Sequence, residues 1–158
     1  MDILWAPWRI NFIKRPKSKK CFLCEFGKKK NAKFLLWKGF HSIIVMNIYP
    51  YNNGHLMVAP ILHKKDLEDL TEEEIIEMTQ AIKKALRIIK KVLKPEGFNI
   101  GVNLGKCSGA GLPGHIHVHI VPRWIGDTNF MPVVASTKVI PQSLEQLSEV
   151  LKKEFSES

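Results

Sequence analysis

The chain has 158 residues, of which 45% are hydrophobic and 25% are charged, and its formal net charge is +9. This length and composition fit one globular domain and exclude a disordered chain, and no apolar run approaches the ~20 residues of a membrane-spanning helix. The positive charge leaves open nucleic acid, an anionic membrane surface or a phosphate-rich small molecule as a partner, although a solvated lysine-rich surface accounts for most of the lysines.

The N-terminal segment MDILWAPWRI lacks the basic start, apolar middle and cleavage site of a secretory signal, so we expect a cytoplasmic protein without membrane contact. The segment KRPKSKK at 14–20 is predicted to be a flexible arm, and GKKKNAK at 27–33 an exposed loop. Between them Cys21 and Cys24 form a CxxC motif, while Cys107 stands alone. Without an export signal, this pattern favours metal or redox chemistry over a structural disulfide.

Three short strands are predicted next, at 34–37, 41–47 and 55–60. The second and third are joined by YPYNNG, and its Asn-Gly pair is a turn signal. These two strands are therefore expected to form an antiparallel hairpin.

The clearest helix is predicted over 71–94. Thr71 followed by Glu74 forms a capping box, and the acidic first turn complements the positive end of the helix dipole. Lysines gather in the last turn, and the sequence KPEG ends the helix. The apolar stripe expected to face the sheet consists of Ile75, Ile82, Leu86, Ile89 and Leu93.

A strand over 98–104, a glycine-rich loop over 105–114 and a histidine-bearing strand follow the helix. Pro122 is expected to close that last strand, because proline has no N–H for the ladder. A second helix, capped by Ser143, is predicted over 143–155.

This order of elements predicts an α+β fold. We expect a five-stranded antiparallel sheet with one main helix packed on a face and a short C-terminal helix. The whole chain, 1–158, is predicted to form one domain, with an N-terminal arm (1–20), a core (21–124) and a C-terminal extension (125–158).

Three of the six histidines alternate with aliphatic residues in the segment GHIHVHIVPRW at 114–124. Because side chains alternate across a strand, His115, His117 and His119 are expected to point to one open face, with the aliphatic residues beneath the main helix. Three buried imidazoles without partners would be costly, so we expect a ligand or a polar network there. A lone histidine in an apolar strand is usually structural, but three in alternation after a glycine-rich loop favour a functional site.

The loop before the histidines reads GKCSGAGLPG. Its glycines, among them Gly109 and Gly111, permit backbone conformations that aim several N–H groups at one anion, and Lys106 and Ser108 can add contacts. Loops of this composition are common, so a phosphate site is indicated mainly by the position of this loop beside the histidines. A phosphate held there would lie next to an imidazole able to attack phosphorus.

The segment HIHVHIV fits the signature of the histidine triad (HIT) nucleotide hydrolases and transferases, and the chain resembles that family from about Cys21 to Trp124. The segment NIYPYNNGHLMVAPILH resembles the family's ribose-binding hairpin, and NLG leads into its phosphate loop. More narrowly, LWAPWR at 4–9 and VPRWIGDTNFMPV at 121–133 are similar to the branch of diadenosine tetraphosphate phosphorylases, also called ATP adenylyltransferases. The resemblance implies a HIT-like fold and a homodimer.

The resemblance also implies a covalent mechanism. His117 would attack the α-phosphorus to give a nucleotidyl-histidine intermediate, and His119 would bind phosphate and assist the leaving group. Asn47 would hydrogen-bond to the ribose hydroxyls. The other predicted nucleotide contacts are Asn103, Lys106, Ser108, Gly109, Gly111 and Trp124, with Phe22, Leu23 and Ile44 for the adenine pocket.

Many family members with a CxxC near the N-terminus bind zinc through it. The ligands that this implies are Cys21, Cys24, His63 and His115. Two thiolates and two imidazoles make a closed tetrahedral site, which is structural rather than catalytic. The alternative is a reduced or redox-active thiol pair. Cys107 is interpreted as incidental, because no base is evident for it.

Dinucleoside polyphosphate hydrolases of the family usually carry a glutamine shortly before the triad, and this loop has none. With Trp124 and the GDTNFM segment, this departure favours phosphorolysis, in which inorganic phosphate attacks the intermediate and diadenosine tetraphosphate gives ATP and ADP. One alternative is a HIT hydrolase of dinucleoside polyphosphates or adenosine phosphoramidates. Another is a zinc-stabilised nucleic-acid-binding module using lysines at 14–20 and 28–30, which leaves the histidines unexplained and lacks an RNA-stacking platform.

Overall fold

The computed structural model describes residues 21–29, 32–105, 107–109, 114–135 and 137–158. Within them, five strands form one sheet, in which neighbouring strands are all antiparallel. The strands are β1 (Leu35–Lys38), β2 (Ser42–Met46), β3 (Leu56–Pro60), β4 (Gly97–Val102) and β5 (Val118–Arg123). Their order across the sheet is β1-β2-β3-β5-β4. The predicted α+β class is confirmed.

The described helices are α1 (Phe22–Lys28), α2 (Glu72–Leu93), α3 (Met131–Ala135) and α4 (Leu144–Ser156), with a short 3-10 helix at Leu67–Asp69. The two long helices were predicted, whereas α1 and α3 were not, because elements of five to seven residues show too little apolar periodicity. Among these described helices, none has both the length and the apolar character that a membrane crossing requires.

Helix α2 begins as predicted and packs with a slightly rotated face. The Thr71 side chain accepts a hydrogen bond from the Glu74 amide at 3.3 Å, and the Thr71 amide donates to the Glu74 carboxylate at 2.8 Å. Ile75 is 44% exposed, so its place in the predicted stripe is wrong. The buried residues of the face are Glu74, Met78, Ala81, Ala85, Ile88 and Ile89.

The sheet has apolar side chains on both faces. One face packs under α2 and α4, and its cluster includes Ile44, Leu56, Ile120, Leu147 and Leu151. The other packs under α1, and its cluster includes Leu23, Ile43, Val45 and Met57. Helix α4, which lies in the predicted C-terminal extension, thus supplies buried residues to the first cluster.

Pro122 lies inside β5, paired with Phe98 of β4, so the prediction that it closes the strand is wrong. Pairing of β5 with β3 ends at Ile120, so a missing N–H on that side costs no ladder hydrogen bond. The Pro122 carbonyl accepts a hydrogen bond from the Asn52 side chain at 3.0 Å.

Candidate active site

The register of the sheet decides which face carries the histidines. His119 pairs with Met57, whose side chain belongs to the α1-side cluster. Val118 and Ile120 pack on the other face, against the α2-side cluster, as predicted. Strand β5 begins at Val118, so the two preceding histidines of the triad lie just before the strand.

The histidine face is covered rather than open. The exposed fractions of His115, His117 and His119 are 1%, 5% and 9%, so the predicted open face is wrong. The rings are covered because the segment bearing Cys21 and Cys24 contacts His115, and the ring of Tyr51 lies 5.7 Å from that of His119. A polar network meets all three imidazoles, as burial of such groups requires.

The hydrogen-bond partner of His117 shows which of its ring nitrogens carries the proton. Its Nδ1 lies 2.8 Å from the backbone carbonyl of His115, which can only accept, so Nδ1 donates and Nε2 carries the lone pair. Burial lowers the pKa of His117 although this hydrogen bond opposes the shift, which favours the neutral ring. A neutral imidazole with an unprotonated Nε2 has the form required of a nucleophile.

The position of the proton on His119 depends on His55, a residue that we did not predict as part of the site. The Tyr51 amide donates to Nδ1 of His55 at 3.0 Å, so the neutral ring of His55 is protonated on Nε2. That Nε2 lies 2.9 Å from Nδ1 of His119 and donates to it, which places the proton of a neutral His119 on Nε2. Burial, with His119 and His117 nearby, lowers the pKa of His55 to about 3 and keeps it neutral.

A sequence signal for His55 did exist. His55 and Met57 are two positions apart at the start of β3, and Met57 lies on the histidine face. The two-residue period of a strand therefore predicts that His55 and Met57 point to the same face. What the sequence could not supply was the pairing that brings the rings of His55 and His119 together.

Asn47 lies where β2 enters the hairpin, next to the same network. Its side-chain oxygen accepts a hydrogen bond from the Tyr49 amide at 2.9 Å, and its amide nitrogen lies 3.3 Å from Nδ1 of His55. The carboxamide is thus held in place by the turn while one donor and one acceptor position remain for a ligand. Its ribose contact stays a prediction.

The described part of the predicted phosphate loop has two glycines with left-handed backbone, Gly105 (φ 75°) and Gly109 (φ 80°). The Ser108 hydroxyl donates to the Gly105 carbonyl at 3.0 Å, and Asn103 is half-buried just after β4. The predicted contacts Lys106 and Gly111 lie outside the described residues.

The three predicted adenine-pocket residues do not lie together. Phe22 is 42% exposed on α1, and Leu23 is fully buried on the same side of the sheet. Ile44 packs on the opposite face, under α2, so the structure does not support its assignment to one pocket with Leu23. Its neighbours Ile43 and Val45 face the α1 side, because a shift of one residue along a strand changes the face.

Trp124 lies at the far end of β5 from the proposed nucleophile. It follows the last residue of the strand and is half-buried, and its amide donates to the Asp127 carboxylate at 3.2 Å. Seven residues separate it from His117, which at about 3.3 Å per residue places the two backbones on the order of 20 Å apart. The position of Trp124 therefore does not support the prediction of a nucleotide contact beside His117 in the same chain.

The predicted metal ligands do lie together. One ligand atom from each of Cys21, Cys24, His63 and His115 lies within 4.8 Å of the other three. The Cys21 sulfur is 3.2 Å from Nδ1 of His115, and the Cys24 sulfur is 3.2 Å from Nδ1 of His63. Ligands about 2.1–2.3 Å from one tetrahedral ion lie about 3.6 Å apart, so the cluster has the size that a metal ion needs.

The protonation of His115 also fits metal binding. Its Nε2 donates to the Pro60 carbonyl at 2.9 Å, which leaves the lone pair of Nδ1 directed at the thiols. Burial and the neighbouring Cys21 raise the pKa of Cys24 to about 11. Redox-active CxxC pairs have a lowered thiol pKa, so this environment does not favour the redox alternative.

Comparisons with known proteins show which family this chain resembles. The family model described as HIT domain matches residues 28–124. A relative from Mycobacterium tuberculosis, named AP-4-A phosphorylase, is 41% identical over 162 aligned residues, which cover 96% of this chain and 83% of that protein.

Solved structures show the same fold. A zinc-bound histidine triad family protein from Mycobacterium smegmatis has a TM-score of 0.69 at 24% identity, covering 87% of this chain and 94% of that one. A hypothetical histidine triad nucleotide-binding protein from Sulfolobus tokodaii has a TM-score of 0.68 at 25% identity, covering 87% and 90%.

Proposed function

The chain belongs to the HIT domain family, and we propose that it is a nucleotidyl transferase that phosphorolyses diadenosine tetraphosphate to ATP and ADP. The proposal agrees with the activity named for the mycobacterial relative. It also agrees with the loop sequence, which lacks the glutamine of the family's hydrolases.

The observation that carries the proposal is a pair of neighbouring imidazoles in opposite tautomers. The rings of His117 and His119 lie 4.8 Å apart between centroids. The hydrogen bonds described above leave a lone pair on Nε2 of His117 and a proton on Nε2 of His119. One ring is thereby suited to attack phosphorus, while the other can donate to a phosphate oxygen or a leaving group.

The reaction has two steps of group transfer. Nε2 of His117 forms a bond to the α-phosphorus of diadenosine tetraphosphate, the bond from that phosphorus to its bridging oxygen breaks, and ATP leaves. The Nε2 proton of His119 hydrogen-bonds to the departing oxygen and stabilises its negative charge. An oxygen of inorganic phosphate then forms a bond to the phosphorus of the AMP-histidine, and the bond from that phosphorus to Nε2 breaks. ADP is released, and the electron pair returns to Nε2 of neutral His117.

The nucleotide is held by the residues around this pair. Asn47 binds the ribose hydroxyls, and the glycine-rich loop binds the phosphates. In that loop the contacts are Asn103, Lys106, Ser108, Gly109 and Gly111. Phe22 and Leu23 line the adenine pocket, and the placement of Ile43 and Val45 on the same face makes them better candidates than Ile44.

The four-residue cluster of Cys21, Cys24, His63 and His115 is proposed to hold a structural zinc ion. A zinc ion held there would supply no chemistry to the reaction, since four protein ligands would leave no open position for a substrate. Coordination by Cys21, Cys24 and His115 would link the start of α1 to the segment before β5.

We further propose a cytoplasmic homodimer that joins two sheets along β4. This strand lies at the edge of the sheet, and Ile100 and Val102 on it are 47% and 38% exposed. A long apolar edge strand left uncovered would promote aggregation, so pairing with a second copy is a physical way to cover it.

The function is tested by incubating the full-length, zinc-loaded protein with diadenosine tetraphosphate, with and without radiolabelled inorganic phosphate. We expect ATP and labelled ADP in equal amounts only when phosphate is present. Without phosphate, a burst of about one ATP per active site should accompany an acid-labile AMP-protein adduct.

His117→Asn is the matched variant for this assay. It should lose the adduct and at least about 10³-fold of the turnover while keeping the far-UV spectrum of the wild type. Release of AMP and ATP without phosphate would identify a hydrolase instead, and turnover retained by His117→Asn would refute the nucleophile.

A further inference from the structure

The ring of Tyr51 packs over two of the buried histidines. Its centroid lies 4.7 Å from that of His55 and 5.7 Å from that of His119, with angles of 34° and 35° between the ring planes. The two imidazoles are 1% and 9% exposed, whereas Tyr51 is 41% exposed. Tyr51 therefore covers these imidazoles and still presents part of its side chain to solvent at the edge of the site.

The backbone of Tyr51 acts on the same pair of rings. Its amide donates to Nδ1 of His55 at 3.0 Å, and Nε2 of His55 lies 2.9 Å from Nδ1 of His119. These hydrogen bonds leave the proton of neutral His119 on Nε2. The side chain of Tyr51 thus lies beside the ring whose proton its own amide fixes, and the hairpin brings a phenol hydroxyl near an imidazole N–H.

One phosphate position beside His119 serves both steps of the proposed reaction. In the first step, the Nε2 proton of His119 meets the oxygen that bridges the α- and β-phosphorus, so the β-phosphate lies next to it. In the second step, inorganic phosphate attacks in line, opposite the bond from phosphorus to His117. It becomes the β-phosphate of ADP and therefore starts from the place that the first β-phosphate left.

We propose that Tyr51 is a phosphate-binding residue, whose hydroxyl donates a hydrogen bond to the β-phosphate and, after ATP leaves, to inorganic phosphate. The inference rests on the proposed function for the roles of His117 and His119. A phosphate has several anionic oxygens, and a phenol O–H and an imidazole N–H are both donors to them. Because the hydroxyl binds the phosphate before and during attack, it lowers KM for phosphate and leaves kcat nearly unchanged.

The competing explanation is that Tyr51 only packs over His55 and His119. Phenylalanine keeps the ring and the amide, so a packing role alone predicts that Tyr51→Phe has the kinetics of wild type. A phosphate contact predicts a selective loss. ADP places a phosphate beside His119 and AMP ends one phosphate earlier, so the ratio of their affinities measures this contact.

The experiment follows phosphorolysis of diadenosine tetraphosphate by the full-length, zinc-loaded wild type and Tyr51→Phe over a series of inorganic phosphate concentrations. In Tyr51→Phe we expect KM for inorganic phosphate to rise about 10-fold, because one hydrogen bond to a charged group is lost. The kcat at saturating phosphate should stay within about twofold of wild type. Thr79→Val, which removes an exposed hydroxyl on α2, is the control and should keep the wild-type KM.

A second measurement uses the His117→Asn background, in which no adduct forms. Calorimetric titration there should show that adding Tyr51→Phe weakens ADP binding about 10-fold and leaves AMP binding unchanged.

A wild-type KM for inorganic phosphate in Tyr51→Phe overturns the proposal. An equal loss of ADP and AMP affinity also overturns it, because the effect would then lie on the nucleoside monophosphate that both ligands share. A wild type that does not use inorganic phosphate refutes the proposed function instead. The affinities for ADP and AMP need no turnover, so they then decide this inference.

Discussion

At the scale of single residues, the histidines of the site have the same side chain and different chemistry. A backbone carbonyl fixes the proton of His117 on Nδ1, and the Pro60 carbonyl fixes that of His115 on Nε2. The Tyr51 amide, acting through His55, fixes that of His119 on Nε2. In the proposed mechanism, these different hydrogen bonds would suit one imidazole to metal binding, one to nucleophilic attack and one to proton donation.

His55 offers a direct test of this arrangement. We expect His55→Phe to lower kcat on the order of 10–100-fold, because His119 then loses the donor that keeps its Nδ1 unprotonated and its proton on Nε2. Adduct formation by His117 should slow without disappearing. Steady-state kinetics against diadenosine tetraphosphate measures the effect, with His41→Phe as the control at an exposed histidine. A kcat equal to that of wild type would show that His55 has no part in positioning His119.

At the scale of elements, the β2–β3 hairpin delivers both Asn47 and His55 to the site, and its turn depends on Gly54. The backbone of Gly54 has a φ of 72°, and a Cβ at this position would meet the Cδ1 atom of Leu93 on α2. The Asn47 amide donates to the His55 carbonyl at 2.9 Å and closes the hairpin. The turn therefore sets the spacing of the two polar side chains.

Gly54→Ala should destabilise the protein by about 1–2 kcal/mol from the left-handed backbone alone, with a further cost from the contact with Leu93. KM for the nucleotide should also rise, since Asn47 and His55 shift with the turn. Denaturant unfolding and steady-state kinetics measure the two effects. Gly97→Ala is the control, because its Cβ would meet no atom within 4 Å. Equal losses in both variants would contradict the role of the turn.

A second polar network joins the hairpin to the end of β5. The Asp127 carboxylate accepts hydrogen bonds from Arg123 at 2.6 Å, from the Asn52 side chain at 2.8 Å and from the Trp124 amide at 3.2 Å. The Arg123 guanidinium and the other donors lower the pKa of Asp127 from 3.8 to about 2. The ionised carboxylate thus holds the hairpin to the end of β5.

The pH dependence of stability follows from the sign of this shift. Because the pKa of Asp127 is lower in the folded chain, its contribution is present above about pH 4 and is lost as the pH falls through about 2. Asp127→Asn should lower the free energy of unfolding on the order of 1–3 kcal/mol at pH 7, and its difference from wild type should shrink toward pH 2. Urea unfolding across this range measures it, with the exposed Glu149→Gln as control. A stability difference between Asp127→Asn and wild type that grows as the pH falls would contradict the role assigned to Asp127.

At the scale of the whole molecule, the two edges of the sheet differ. On the β1 side, α4 packs against the edge region, and its Ser148 hydroxyl donates to the Lys33 carbonyl at 2.7 Å. On the β4 side, Ile100 pairs with Ile120 and so shares the face of α2, yet remains 47% exposed. The apolar face therefore continues beyond the part of the sheet that the described helices cover.

If a second copy covers β4, Ile100→Lys should dissociate it. A lysine on each side of the symmetric contact would have to be buried without a partner, so we expect the dimer dissociation constant to rise by at least about 100-fold, or ~3 kcal/mol. Sedimentation velocity over a concentration series measures this. Phe40→Lys is the control, since Phe40 is 92% exposed in the turn between β1 and β2. A wild type that sediments as a monomer at all concentrations would refute the dimer.

The sequence by itself determined the family, the fold class, the hairpin and the caps of the two long helices. These features are local: a capping box, an Asn-Gly turn and the two- and 3.6-residue periods are encoded within a few positions. The alternation of His115, His117 and His119 likewise predicted a shared side, and the CxxC with two histidines indicated the cluster that the fold brings together.

Only the tertiary structure decided how deeply the histidines are buried, which face Ile44 occupies and that His55 orients His119. The physical reason is that burial and hydrogen-bond partners join residues distant in the chain. His55 and His119 are 64 positions apart, and Cys21 and His115 are 94 apart. No local pattern specifies which of many polar groups will meet, because that depends on the register of β3 against β5 and on what packs over the sheet.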